Sequence, residues 1–312
     1  MKKTQGIHHI TAIVGNPQEN VDFYAGVLGL RLVKKTVNFD DPDTYHFYFG
    51  NKNGDPGTII TFFPWVGARK GIIGGGQVGV TTYLIPRGSM PFWLERLIRF
   101  NIKTTITQRF GETYLSFNDI HGLQLELVER ETLTKNDWTF GAVTSNMAIQ
   151  GFGGGILLST NYLATEKTLT KTLGLEKIDE DDEFIRFKST ADIGNIIDLK
   201  KVNVRPGLSG VGTVHHIAWR ALDDQDQLEW QELIHNDGYS VTNVRDRNYF
   251  NAIYFREHGD ILFEVATNPP GFAIDESIDT LGEALKLPLQ YEGYREQLNQ
   301  VLPKIVIRKL DK

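Results

Sequence analysis

One pattern is written four times along this chain, and it leaves few folds open. A strand rich in β-branched residues runs into a helix, the helix stops, and further strands follow. Ile7 to Val14 is the first such strand. Asn16-Pro17 then supplies an N-cap and a first-turn proline, Phe23, Val27 and Leu30 recur at helical spacing, and Gly29 offers the stop. Residues 30–37, 44–50 and 58–63 read as strands, separated by the turn-rich stretches 40–43 and 51–57. The order returns from Val78, from Gly155 and from Thr213. From first-strand position to helix stop the spacing is 20 residues (9 to 29), 22 (79 to 101), 19 (155 to 174) and 22 (216 to 238). A βαβββ unit recurring over about 250 residues is an internal repeat, and it predicts an α+β fold of four such modules.

The second module has a strand at 78–85, a helix opening near Ser89-Met90-Pro91 and closing near Asn101, and strands at 104–108, 114–118 and 123–128. In the third the helix falls at 162–173 and ends at Gly174; in the fourth it falls at 224–236 and ends at Gly238. The expected division is a first half over 7–130, with modules about 7–66 and 76–130, and a second half over 150–267, with modules about 150–204 and 211–267. Asn268-Pro269-Pro270-Gly271 breaks the last strand and opens a C-terminal tail, 268–312, with a short helix expected inside 281–301. Glycine-rich 71–79 and 151–155 mark module boundaries, since their spacing matches neither a P-loop nor a dinucleotide fingerprint.

Composition narrows the function classes. With no cysteine, disulfides and thiolate metal sites are excluded. A net charge of −6, a pI near 5.8 and the lack of any basic run with interleaved aromatics argue against nucleic acid as a partner. No stretch approaches the roughly 18 apolar residues of a membrane span, and no apolar segment follows Lys2-Lys3, so the expectation is a cytoplasmic protein with no membrane partner.

The histidines are distributed unevenly. Four of the eight sit in two copies of one short motif, I-H-H-I-T-A at 7–12 and V-H-H-I-A-W at 214–219. A buried imidazole needs a partner for each ring nitrogen, and two distant strands most simply share that need by gripping one metal ion. Strand alternation puts Thr11 on the face of His9, and Ala218 and Arg220 on the face of His216, with His8 and His215 turned the other way. His46, His121, His235 and His258 lie in no such pattern and read as structural or exposed. Phe62, Phe63, Trp65, Trp219 and Phe250 read either as the wall of a pocket for a flat ring or as core.

Paired βαβββ modules, together with these motifs, resemble the vicinal oxygen chelate superfamily over nearly the whole length. Its members include glyoxalase I, extradiol ring-cleavage dioxygenases and antibiotic-resistance binding proteins, so the fold by itself does not choose a function. Adding G-D-P-G-T-I-I-T-F-F-P-W at 54–65, the combination is similar to the dioxygenases that open para-hydroquinones. The resemblance implies two barrels, with each module's ligand histidine on its first strand and ligand carboxylate on its last. Module one then offers His9 but Thr61 in place of a glutamate; module two offers Gly79 and Glu126; module three offers Gly155 and no matching glutamate in 195–199; module four offers His216 and Glu264. His9, His216 and Glu264 are the implied metal ligands, which requires 7–66 and 211–267 to share the metal barrel. Modules two and three would form a metal-free barrel in which Glu126 is a remnant or a solvated edge residue.

Two imidazoles and one carboxylate suit non-haem Fe(II), and the same set admits Mn(II). By resemblance Thr11, His215, Arg247 and Tyr254 are active-site companions, with His8 beside them. The expectation is an Fe(II)-dependent ring-cleaving dioxygenase acting on hydroquinone-type diols, with a small aromatic substrate and O2 as partners and a homo-oligomer compatible with the chain. The alternatives are a glyoxalase-like lyase or isomerase, which would need a second carboxylate where Thr61 stands, and a non-catalytic protein that binds an aromatic ligand.

Overall fold

A computed structural model of the chain describes residues 2–311. Module one runs β1 (Ile7–Val14), α1 (Pro17–Val21), β2 (Arg31–Asn38), β3 (Asp41–Gly50) and β4 (Ile59–Pro64). Module two runs β5 (Gln77–Ile85), α2 (Met90–Arg99), β6 (Thr104–Arg109), β7 (Glu112–Asn118) and β8 (Gln124–Glu129). Module three runs β9 (Gly151–Leu158), α3 (Tyr162–Lys167), β10 (Glu176–Glu180), β11 (Phe184–Lys188) and β12 (Ile196–Lys200). Module four runs β13 (Thr213–Ala221), α4 (Asp224–Asn236), β14 (Arg245–Asp246), β15 (Phe250–Arg256) and β16 (Leu262–Pro270). Asn16 caps α1 by accepting from the backbone N–H groups of Gln18 and Glu19, as its position before Pro17 predicts. The helices of modules one and three are shorter than expected and widen into π-helical turns over Asp22–Val27 and Thr168–Thr172.

The strands form two curled eight-stranded sheets, an α+β fold. One sheet runs β14-β15-β16-β13-β1-β4-β3-β2, so the first and fourth modules make one cup; the other runs β10-β11-β12-β9-β5-β8-β7-β6. At the centre of the first cup β1 and β13 pair antiparallel, each flanked by the parallel last strand of its own module, β4 and β16. The outer faces pack against the helices, with Trp219, Trp230 and Ile234 fully buried there. The inner face carries its own apolar cluster, including Tyr48, Ala218, Phe250, Ala252 and Phe272. Linkers 66–76 and 203–212 run side by side, with bridges Ile72 to Leu208 and Gly75 to Pro206. Backbone meets backbone so closely that a Cβ on Gly74 would stand 2.7 Å from Gly207 Cα, which accounts for the glycine run without a phosphate.

Strand alternation fails at one place in each central strand. The β1–β13 register shifts between Ile7 and His9 and again between Thr11 and Ala12, which makes His8 and His215 bulge residues, each an extra residue facing one fewer on the partner. A bulge redirects its side chain, so neither histidine points away from its neighbour as simple alternation expects.

The second cup corrects one reading and extends another. Glu126 is neither a remnant nor a solvated edge residue: it is buried and paired with Arg109 at 2.9 Å. Module three does supply an inward carboxylate, the aspartate Asp198, which sits opposite Ile156 as Glu126 sits opposite Thr82. Asp198 accepts from Arg109 Nε at 2.7 Å and from Arg186 Nε at 2.7 Å. The cup is filled by an ionic ladder that continues through Glu112 to Arg130.

Candidate metal centre

His9 on β1, His216 on β13 and Glu264 on β16 meet inside the first cup. His9 Nε2 lies 3.3 Å from His216 Nε2 and 3.4 Å from Glu264 Oε2, and His216 Nε2 lies 2.8 Å from the same oxygen. Atoms bound to one ion at about 2.1 Å stand about 3.0 Å apart at right angles and about 3.4 Å apart at tetrahedral angles, close to these separations. Both oxygens of Glu264 are fully buried and neither has a hydrogen-bond partner among the described residues; the 2.8 Å contact with His216 lacks hydrogen-bond direction. Leaving a carboxylate buried and unbonded is costly, and a cation at the convergence point removes that cost. Among the described residues this is the one cluster with metal-ligand geometry.

The neighbouring histidines fix which nitrogens carry protons. Thr267 carbonyl can only accept, so His8 Nε2–H donates to it at 3.1 Å. Burial holds His8 neutral by pushing its pKa well below the ordinary range, with His9 adding to the effect, so His8 Nδ1 must accept. It accepts from His9 Nδ1–H at 2.9 Å, which leaves the lone pair of His9 Nε2 facing the other two ligands. The second pair repeats the contact, with 2.8 Å between His215 Nδ1 and His216 Nδ1, but ends differently. Among the described residues His215 has no backbone acceptor; it lines the cavity instead, and burial, reinforced by His216, pushes its pKa down to about 3. Once His216 Nε2 serves a cation, its Nδ1–H donates to His215 and the proton of His215 sits on Nε2, on the cavity side.

The cavity beside the triad has a volume of about 210 Å3. Thr11, Arg247 and Tyr254 all line it. Tyr254 sits opposite Glu264 in the β15–β16 register, its ring edge-on to His216 at 5.8 Å, and its hydroxyl accepts from Arg247 Nε at 3.2 Å. Arg247 also reaches Asp40 of module one at 3.4 Å, so it spans the two halves of the cup. Phe63 and Trp65 stack at 5.6 Å and, with Phe250, form the apolar wall, whereas Phe62 and Trp219 belong to the core. Arg220 lies away from the cavity and donates to the carbonyls of Ile7 and Ile193.

His46 is the residue the sequence reading missed. Rather than being merely structural or exposed, it lines the cavity, with Nε2 2.9 Å from Thr61 Oγ1 and Nδ1 2.9 Å from Tyr48 OH. One signal was available: on β3, which runs beside the Thr61 strand, His46 and Tyr48 occupy alternate positions and so share a face. Of the other unpatterned histidines, His235 and His258 are exposed, and His121 is half-buried beside Gly15, outside the cavity.

Paired βαβββ modules with a two-histidine, one-carboxylate cluster inside one cup define a class. The model of the Glyoxalase/Bleomycin resistance protein/Dioxygenase superfamily matches residues 6–131 and 157–273, and the chain belongs to that superfamily. Within it, a Bacillus subtilis (strain 168) protein provisionally named ring-cleaving dioxygenase MhqO is 63% identical over 310 residues, covering 99% of both chains. The chlorohydroquinone/hydroquinone 1,2-dioxygenase of Sphingobium indicum is 32% identical over 311 residues, 95% of both. The crystal structure of a provisionally named dioxygenase from Bacillus subtilis superposes with a TM-score of 0.98 at 62% identity, covering 99% of this chain and 100% of that one. Glyoxalase I of Zea mays, at 14% identity, a TM-score of 0.62 and coverage of 84% and 92%, shares the fold alone.

Proposed function

We propose that this chain is an Fe(II)-dependent, extradiol-type ring-cleaving dioxygenase acting on hydroquinone-type aromatic diols with O2. One observation carries the reading: two imidazoles and a single buried carboxylate converge, while the position of a second carboxylate holds Thr61. A glyoxalase-like site would need that second carboxylate, and a purely sequestering protein has no use for an intact buried ligand set. The relatives' names point the same way. Held by His9, His216 and Glu264, Fe(II) would acidify a coordinated hydroxyl and pass electrons between the ring and O2; Mn(II) is compatible with the same ligands.

The chain's own groups have separable tasks in this reading. Phe63, Trp65 and Phe250 take the flat ring between apolar surfaces and exclude water. His215, neutral and carrying its proton on Nε2, donates a hydrogen bond to the oxygen atoms of the bound reactants. Arg247, a fixed cation, holds negative charge as it develops and keeps the Tyr254 hydroxyl oriented toward the reacting end. Both atoms of O2 enter the product, and one ring C–C bond breaks beside a hydroxyl-bearing carbon. The reading implies a cytoplasmic enzyme of aromatic-compound degradation and detoxification.

Oxygen uptake tests it. Anaerobically prepared, Fe(II)-loaded protein mixed with methylhydroquinone or chlorohydroquinone in oxygenated buffer is expected to consume O2 and substrate one for one. Loading without any O2 consumption on either diol would sink the proposal.

A further inference from the structure

The wall opposite Glu264 carries a hydrogen-bonded chain whose direction follows from the donor strengths of its two end groups. Thr61 sits across from Thr11 on the paired strands of module one as Glu264 sits across from Ala218 in module four, and Tyr48 faces Thr61 as Tyr254 faces Glu264. Where module four offers a charged ligand, module one therefore offers a neutral sequence of four groups. Tyr48 OH lies 2.9 Å from His46 Nδ1, His46 Nε2 lies 2.9 Å from Thr61 Oγ1, and Thr61 Oγ1 lies 2.8 Å from Thr11 Oγ1.

Two proton orders are open, and each leaves one end hydroxyl, that of Tyr48 or that of Thr11, without a protein acceptor among the described residues at the cavity both line. Tyr48 is completely buried, and His46 is the sole partner of its hydroxyl among the described residues. Of the two end hydroxyls the phenol, with an ordinary pKa near 10, is the stronger donor and the poorer acceptor. Tyr48 therefore donates. A neutral imidazole that accepts at Nδ1 donates at Nε2, so Thr61 accepts from His46 and its own proton goes to Thr11. Burial supports both protonation states: it pushes His46 well below the ordinary histidine range and Tyr48 well above the ordinary tyrosine range. Thr11, whose acceptor side is taken by Thr61, is left with an O–H and no protein acceptor among the described residues, at the edge of the cavity.

We infer that Tyr48, His46 and Thr61 are positioning residues that lock the Thr11 hydroxyl as a hydrogen-bond donor to an anionic oxygen of a phenolic ligand beside the metal. The inference rests on the metal-centre reading above. Its consequence is specificity for the deprotonated form of the ligand: a donor that cannot turn round rewards a phenolate oxygen and not a hydroxyl that must itself donate.

The test is a double-mutant cycle read by binding, without turnover. Azide, a small anion, is titrated under argon into Co(II)-loaded protein and followed through the visible bands of the metal. Thr11→Val and His46→Leu are each expected to weaken azide about tenfold, the size of one lost charge-assisted hydrogen bond. Tyr48→Phe, which keeps the ring and is the mildest change to the fold, is expected to weaken it about threefold by freeing the chain to reverse. Thr11→Val combined with either change should bind no more weakly than Thr11→Val alone, because the donor is already gone. His46→Gln, whose amide can accept from Tyr48 and donate to Thr61, should restore binding to within about threefold of wild type. Co(II) stoichiometry is expected to stay unchanged throughout, which separates this role from a structural one. Additive effects, or azide binding indifferent to Tyr48→Phe and His46→Leu, would overturn the inference. Failure of the unaltered chain to bind Co(II) at the triad would instead overturn the metal-centre reading.

Discussion

At the residue scale the proposed metal centre depends on unprotonated nitrogen and ionised oxygen. Burial would raise the pKa of Glu264, but His9 and His216 outweigh it and hold the carboxyl well below its usual range, so the acid is ionised before any cation arrives. Glu264→Gln keeps the shape and removes the charge; it is expected to abolish stoichiometric metal binding, measured by metal analysis after anaerobic gel filtration, while far-UV circular dichroism stays unchanged. The histidines make a second prediction, with a definite sign. Burial lowers the pKa of His8, His46 and His215 in the folded chain, the last to about 3, whereas an unfolded histidine titrates near 6.5. Above about pH 6.5 neither state binds these protons and they contribute nothing to the pH dependence. Below it the unfolded chain takes up protons that the folded chain refuses, so stability falls with acidification by up to about 1.4 kcal/mol per pH unit for each histidine, or about 4 for the three. Urea midpoints of the metal-free protein should be flat between pH 8 and 7 and drop steeply between pH 6 and 5. A slope there equivalent to less than one proton would mean that these rings are charged in the fold.

At the element scale, what could be read from the sequence divides along lines of physical range. The module order was legible because its signals are local: a cap and proline at Asn16-Pro17, a helix stop at Gly29, Gly174 and Gly238, strands of alternating β-branched residues. The histidine pairs stood out because their motif repeats, and the structure brings His9 and His216 together with the Glu264 that the resemblance implied. Side-chain direction at His8 and His215 was not, since a bulge is a property of two paired strands and alternation counts only one. Asp198 escaped because a search for glutamate passes over a shorter carboxylate that reaches its partners only when arginines come to meet it. The tail was the least legible, having no periodicity, yet it floors the first cup. Phe272 stacks on Tyr249 at 5.1 Å, and the fully buried Lys34 on β2 donates to Asp275 at 2.5 Å and Glu276 at 2.6 Å. Removing one partner of a buried ionic group strands the rest, so Lys34→Met is expected to cost about 3–5 kcal/mol. The same change should make the segment after Gly271 a site of rapid limited proteolysis; a variant as resistant as the parent would show that the tail is held by Phe272 and its apolar contacts alone.

At the scale of the whole molecule, one architecture is used twice with its interior chemistry exchanged. In each cup the last strands of two modules bring inward positions together: Thr61 and Glu264 in the first, Glu126 and Asp198 in the second. The first cup keeps histidines on its central strands and leaves its buried carboxylate without a guanidinium partner among the described residues. In the second cup Val80 and Gly154, and not the Gly79 and Gly155 expected from spacing, stand two residues before the partners of Glu126 and Asp198, where the first has His9 and His216, and guanidinium groups supply the positive charge from within the chain. Arg186, opposite Asp198 on β11, occupies the place of Tyr254 opposite Glu264 on β15. Permanent internal cations need no ligand, which suits the second cup to bearing load and not to chemistry. Its stability should then be separable from the metal. Asp198→Asn leaves Arg109 and Arg186 short of their shared counter-ion in a buried setting and is expected to cost about 3–5 kcal/mol in denaturant unfolding. Metal stoichiometry and affinity should not change, because the substitution touches no residue of the other sheet. Combined with Glu264→Gln, the two effects on the stability of the metal-free chain should add to within about 0.5 kcal/mol, as they do for distant sites with no shared partner. Metal loss caused by Asp198→Asn alone would mean that the two cups are energetically one unit, joined through the glycine-lined contact of their linkers.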